Sequence, residues 1–186
     1  MPCYIAFLRA INVGGHTVKM EYLRLLFESC GFSEVETFIA SGNVIFQAAA
    51  QNTAELESEI ASSLRTALGY EVATFIRSGA ELAGIASYQA FPQAAVDAAA
   101  AYNIAFLSTP LDDQAKQKLM ALRNDIDSFV THAREVYWLC RRLQSQSTFS
   151  NAVLEKTLGV KSTLRGVNTI KKLAARVTSR MSARNG

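Results

Sequence analysis

Long apolar runs are missing from this 186-residue chain: nothing approaches the roughly 18 uninterrupted apolar residues that a membrane span needs, and the apolar start Tyr4 to Leu8 is cut by Arg9. No transmembrane segment and no secretory leader is expected, so the chain reads as cytoplasmic, with no membrane partner. Cysteine is scarce. Cys3, Cys30 and Cys140 are odd in number, far apart and without a C-x-x-C pair, which argues against a disulfide framework and a zinc site and leaves them as reduced packing residues. Histidine is scarcer: His16 and His132 alone would titrate near neutrality unperturbed. No H-E-x-x-H, G-x-S-x-G or G-K-[ST] occurs, so no metalloprotease, nucleophile-elbow or Walker chemistry is indicated. No catalytic residue, metal or cofactor is assigned, and an enzyme ranks last among the function classes considered.

A core, by contrast, is well provided for. Hydrophobic residues make up 49% of the chain and charged ones 19%, a balance that excludes disorder. The net charge of +3 conceals an asymmetry: residues 1–99 carry −5, residues 100–149 carry +1 and residues 150–186 carry +7. Such a basic tail either attracts an anionic partner or docks on the chain's own acidic first half, and docking with ordinary solvation is the leading expectation.

Periodicity and punctuation give the first unit. Tyr4 to Leu8 suits a central strand. Met20, Leu23, Leu26, Phe27 and Cys30 recur at helical spacing up to Gly31, and Val35 to Ala40 with Val44 to Gln47 form a hairpin about Ser41-Gly42-Asn43. Asn52 and Glu55 suggest a capped helix with Leu56, Ile60, Leu64 and Leu68 on one stripe, ended by Gly69, and Glu71 to Ile76 is a strand. The order is βαββαβ. A second, looser copy follows: strand Asn103 to Leu107, a helix opened by Thr109-Pro110, a hairpin of Ile126 to Thr131 with Glu135 to Cys140 about His132-Ala133, a helix around Leu154 stopped by Gly159, and a strand Val160 to Leu164. A last helix places Ile170, Leu173, Ala174, Val177 and Met181 on one face. The expected fold is α+β, two ferredoxin-like (βαββαβ) halves with antiparallel sheets plus a C-terminal helix. Its parts are 1–77, a helical linking region 78–102, 103–166 and a basic amphipathic helix 167–186.

Two motifs stand out, Arg9-Ala10-Ile11-Asn12-Val13-Gly14-Gly15 and Thr37-Phe38-Ile39-Ala40-Ser41-Gly42-Asn43-Val44-Ile45-Phe46. On these, and on Leu154 to Val160, Thr163-Leu164-Arg165 and Asn168-Thr169, the chain resembles the DUF1697 family. The resemblance implies a compact α+β protein with ferredoxin-like halves and implies no known activity. Gly166-Val167 and Ser147-Thr148 depart from the family pattern, which expects Asn-Trp and Ser-Lys there.

The loop after the first strand carries the leading functional expectation, a non-catalytic site for a small anionic, phosphate-bearing ligand. Free backbone N–H groups and the helix dipole favour an anion there. Arg9 and His16 would neutralise charge, Asn12 would orient, Gly14 and Gly15 would let the backbone approach closely, and Lys19 would add a donor. The bland alternative is a tight turn in which Asn12 bonds the local backbone. Placing the first and third strands as parallel neighbours sets Ser41-Gly42-Asn43 at the opposite end of the sheet, roughly 17 Å away, as a structural turn. The second functional expectation is nucleic-acid binding through Lys172, Arg176, Arg180 and Arg184, spaced one helical turn apart, which would grip phosphates without base specificity. His132 is expected in a solvated turn, and Asp112-Asp113 in the first turn of a helix, complementing its dipole.

Overall fold

The computed structural model describes residues 1–12, 15–39, 42–49 and 52–182. The chain divides into two compact units, Met1–Ala86 with Lys171–Gly186, and Ser87–Ile170. This division differs from the four parts drawn on the sequence: the region 78–102 is shared between the units, and most of the last helix belongs with the first.

In the first unit β1 (Cys3–Leu8) leads through a loop to α1 (Met20–Ser29), followed by β2 (Ser33–Thr37), β3 (Asn43–Gln47), α2 (Thr53–Leu68), β4 (Thr74–Ser78) and α3 (Gly79–Ser87). The sheet has the order β2-β3-β1-β4, and all its pairings are antiparallel. The expectation that the first and third strands run parallel is therefore wrong, and chain geometry explains why. A helical crossover returns the chain to the end where β1 began, so β2 runs parallel to β1; the tight hairpin then reverses direction, and β3 must oppose β1. Cys3 faces Gln47 and Phe7 faces Asn43. The hairpin turn before β3 consequently lies at the same end as the loop after β1.

The second unit repeats the order with α4 (Gln93–Asp97), β5 (Ala101–Phe106), α5 (Asp113–Met120), β6 (Asp127–His132), β7 (Glu135–Cys140), α6 (Asn151–Leu158) and β8 (Thr163–Gly166). Its antiparallel sheet is ordered β6-β7-β5-β8. Two ferredoxin-like halves and an α+β class are thus established. Closing the chain is α7 (Val167–Ser182).

Local chemistry sets the boundaries. Asn52 Oδ1 accepts from the Ala54 amide at 2.9 Å, and α2 stops where Gly69 takes φ 81°. Ser78 and Glu81 cap α3 reciprocally, the Glu81 amide donating to Ser78 Oγ and the Ser78 amide to Glu81 Oε2. Pro110 does not open α5: Asp112 caps it, accepting from the Ala115 amide at 2.7 Å. A side chain that satisfies an orphan amide outweighs proline's preset φ. The β4 and β8 strands each begin three residues later than expected, because Val72 and Val160 pack as loop residues beside their clusters.

Each sheet presents one face to its own helices. Tyr4, Ala6, Leu8, Val44, Phe46 and Ile76 meet Leu23 and Phe27 of α1 and Leu56, Ile60 and Leu64 of α2. In the second unit Ala105, Phe129, Val136 and Trp138 pack with Leu119 and Leu154. Tyr4 and Ala6, like Phe129 and the strand residues opposite it, alternate with a second face, as the two-residue period of a strand requires.

The basic stripe of α7 is not simply solvated. Arg176 Nε lies 2.9 Å from Glu36 Oε1, Arg180 Nη1 lies 3.2 Å from Glu36 Oε2, and Arg180 Nη2 donates to the Glu34 carbonyl at 2.7 Å. Internal docking on the acidic first half, the leading expectation for the tail, is what the geometry realises. The pairing holds the Arg176 guanidinium above its ordinary pKa through its hydrogen bond and charge contact with Glu36. Glu36 opposes Ile45, whose side chain lies off the α1–α2 face, so α7 reaches the other face of the sheet. It also approaches the start of α3 closely: a methyl group added at Gly79 would lie 3.2 Å from Val177 Cγ1. Met181, expected on the buried face, is 51% exposed, because it lies in the last turn of the helix. Replacing Glu36 with Gln removes the anion that two arginines share; the variant is expected to melt a few degrees lower than the parent in dilute buffer, with the gap narrowing in high salt. Equal melting temperatures in dilute buffer would show that the ion pairs do not secure α7.

Candidate functional site

Three segments converge where β1 ends. The Leu8 amide donates to the Gly42 carbonyl at 2.8 Å, and the Arg9 amide donates to Ala73, just before β4, also at 2.8 Å. The loop after β1, the β2–β3 turn and the segment between α2 and β4 therefore form one end of the sheet. Contact is tight at Gly42, which adopts φ +76°; a methyl group there would sit 2.8 Å from Ile11 Cγ2 and 3.1 Å from Leu8 Cβ. Glycine is needed for both the left-handed conformation and the space.

Inside the first loop Asn12 Oδ1 accepts from the Val18 amide at 2.7 Å and closes the loop on itself. Asn12 thus braces the backbone, as the bland alternative has it, and this oxygen is engaged with the loop rather than turned to a ligand. The Ile11 carbonyl accepts from the Tyr70 hydroxyl at 3.0 Å, and the His16 ring stacks on the Tyr70 ring at 3.9 Å. Burial pushes the Tyr70 phenol upward, keeping it a proton donor. Gly15 takes φ 85°, a left-handed conformation that favours glycine. Gly14 lies outside the described residues, as does Ser41.

The start of α1 completes this end. Lys19 occupies the N-cap position with no side-chain cap, leaving first-turn amides for solvent or a ligand. Glu21, the acidic residue of that turn, is matched by Arg24. His16 and Lys19 are exposed and Arg9 is half-buried. Arg9, Gly15, His16 and Lys19 lie on the segment between β1 and α1, while Tyr70 and the β2–β3 turn, which no sequence signal ties to it, adjoin it. Ile39 is a β-branched residue held at φ 57° and 51% exposed, and Ala10 shares that conformation. Strained, exposed residues on both joined loops are features that functional surfaces carry more often than plain turns. The union of the loops follows from βαββαβ connectivity, whereas Tyr70 stands beside a helix-stopping glycine with nothing to mark it.

The second candidate surface is reduced. Of Lys172, Arg176, Arg180 and Arg184, the middle two are engaged with Glu34 and Glu36, Lys172 is exposed, and Arg184 lies outside the described residues. His132 is exposed but does not lie in the turn expected for it: it is the last residue of β6, paired with Glu135, and its ring stacks on Tyr88 at 4.0 Å, because the hairpin reverses one residue later, where Ala133 takes φ 47°. The cysteines are free, and burial pushes the Cys140 thiol up, away from reactivity. Among the described residues no group of three or more metal-ligating side chains gathers, and no helix is long and apolar enough to cross a membrane.

Substitution at Gly42 tests the junction of the loops. Gly42→Ala is expected to cost about 1–3 kcal/mol through strain and overpacking. Gly84→Ala, in α3 with open space around the added methyl, is expected to add about 0.5–1 kcal/mol. Urea unfolding midpoints compare them, and a neutral Gly42→Ala would contradict the close approach.

Comparisons with known proteins agree with this architecture. The family model described as "Protein of unknown function (DUF1697)" matches residues 1–137. A solved structure of a conserved bacterial protein from Streptococcus pneumoniae is similar with a TM-score of 0.76 at 22% identity, covering 96% of this chain and 99% of that one. At this identity the likeness establishes the fold. No curated protein matches.

Proposed function

The chain belongs to the DUF1697 family, and from that premise we propose that the first unit is a binding module for a small anionic, phosphate-bearing ligand at the end of β1. The observation that carries the reading is the hydrogen bond between Leu8 and Gly42, which merges the loop after β1 with the β2–β3 turn beside an α1 start that has no side-chain cap. An anion there meets first-turn amides and the positive end of the α1 dipole. Arg9 supplies the fixed charge, and His16 and Lys19, exposed beside it, add donors. Asn12 acts as a brace that pre-forms the loop rather than as a ligand contact. Gly15, with Gly14 beside it in sequence, lets the backbone turn closely around the guest. The β2–β3 turn, which reads as purely structural on the sequence, becomes the opposite wall.

Binding to the folded state raises thermal stability by linkage. A panel of inorganic phosphate, pyrophosphate, nucleotides and sugar phosphates is expected to contain at least one compound that raises the melting temperature of the full chain by several degrees. Arg9→Ala is expected to abolish that rise. A panel with no effect, or a rise that survives Arg9→Ala, would overturn the reading.

A further inference from the structure

The second unit has a cleft of its own, at the end of the sheet where β6 starts and β7 ends, with a volume of about 270 Å³. Its floor comes from one face of the β6–β7 ladder: Ser128 opposes Leu139, and Val130, two residues on, shares that face. Phe91 and Pro92, ahead of α4, form an apolar wall. The Phe91 ring is steadied by an edge-on contact with Tyr102 at 5.7 Å.

Two cations complete the lining, Arg123 just after α5 and Arg141 just after β7, and no carboxylate joins them. Among the described residues neither guanidinium makes a salt bridge or side-chain hydrogen bond, and the Ser128 hydroxyl is likewise unpaired. The exposed Arg65 and Arg176 do find carboxylates, Glu71 and Glu36. The backbones carrying the pair are nevertheless pinned. The Arg141 amide donates to Ile126 at 2.9 Å, and Asn124, next to Arg123, accepts from the Ile126 and Asp127 amides through Oδ1. Asp127, fully buried, binds Trp138 Nε1 at 2.8 Å and Ser147 Oγ at 2.7 Å, locking the first residue of β6 beside Ser128.

We propose that this cleft binds a small monocarboxylic acid with an aromatic or branched apolar body. The apolar floor and wall take the body, while Arg123, Arg141 and the Ser128 hydroxyl converge on the carboxylate. Planar guanidinium groups match a carboxylate in bidentate fashion. Apolar lining with a few convergent polar groups is the composition of small-molecule sites, and this volume lies just below their usual range, which limits the guest to a small molecule. A phosphate ester is disfavoured because no glycine-rich nest of backbone amides lines the cleft.

Amide-resolved NMR titration of the full chain tests the assignment. Phenylacetate is expected to saturate near or below about 1 mM and to move the Ser128, Val130 and Leu139 amides. Benzyl alcohol, which keeps the ring, and acetate, which keeps the carboxylate, are each expected to bind at least tenfold more weakly. Arg141→Gln and Arg123→Gln, both at exposed positions, are each expected to weaken phenylacetate at least tenfold, whereas Arg142→Gln, outside the lining, leaves it unchanged. Failure to saturate by about 10 mM, shifts confined to other residues, or affinity that survives both arginine substitutions would overturn the site. Equal binding of benzyl alcohol would overturn the carboxylate, and tighter binding of phenyl phosphate would overturn the choice of anion.

Discussion

Everything at the proposed anion site depends on the antiparallel ladder between β1 and β3. With Phe7 opposite Asn43, the strands finish and begin at a common edge, and the Leu8 amide meets the Gly42 carbonyl. Register in a sheet buried on both faces has little freedom, since a slip by one residue would exchange every side chain between faces. The loops are thus tied together by a ladder whose own residues are almost wholly buried. That is how the proposed surface, made of segments about 30 residues apart in the chain, is held in place: its precision is inherited from the core.

The same βαββαβ plan, used twice, presents different groups at its ends. In the first unit the loops at the end of β1 hold the cations, glycines and strained residues. In the second unit the corresponding end carries the tight β6–β7 turn at Ala133, and the cleft lined by Arg123, Arg141 and Ser128 lies at the opposite end. Function in such folds resides in the loops and not in the scaffold. The charge asymmetry along the chain follows a third logic: α7 brings Arg176 and Arg180 back to Glu34 and Glu36, so part of its basic character holds an amphipathic helix on an acidic strand.

Much of this architecture is legible in the amino-acid sequence alone. Element order follows from periodicity, because buried stripes such as Leu56, Ile60 and Leu64 and left-handed stops such as Gly69 and Gly159 are dictated by backbone physics. Boundaries are harder where a cap competes with a proline, as at Asp112 against Pro110. Strand direction is derivable in principle, since a crossover followed by a hairpin fixes β3 against β1, and an incorrect parallel assignment separates two motifs that the fold joins. Asn12 is legible both as a candidate contact and as a brace of the local backbone, and only its partner, the Val18 amide, is settled by the path of the loop. The cleft beside Ser128 leaves no trace in the sequence: Arg123 and Arg141 occupy separate loops with nothing in their spacing to link them.

The β1–β3 register is open to direct measurement. Phe7 and Asn43 form a non-hydrogen-bonded antiparallel pair, given that Leu8 bonds Gly42, and such pairs bring α-carbons to about 4.5 Å. A strong nuclear Overhauser effect between the α-protons of Phe7 and Asn43, with another between those of Ile5 and Ile45, is the predicted result. Absence of both, with α-proton contacts linking Phe7 to Gln47 instead, would mean parallel strands and would place the loop after β1 and the β2–β3 turn at opposite ends of the sheet.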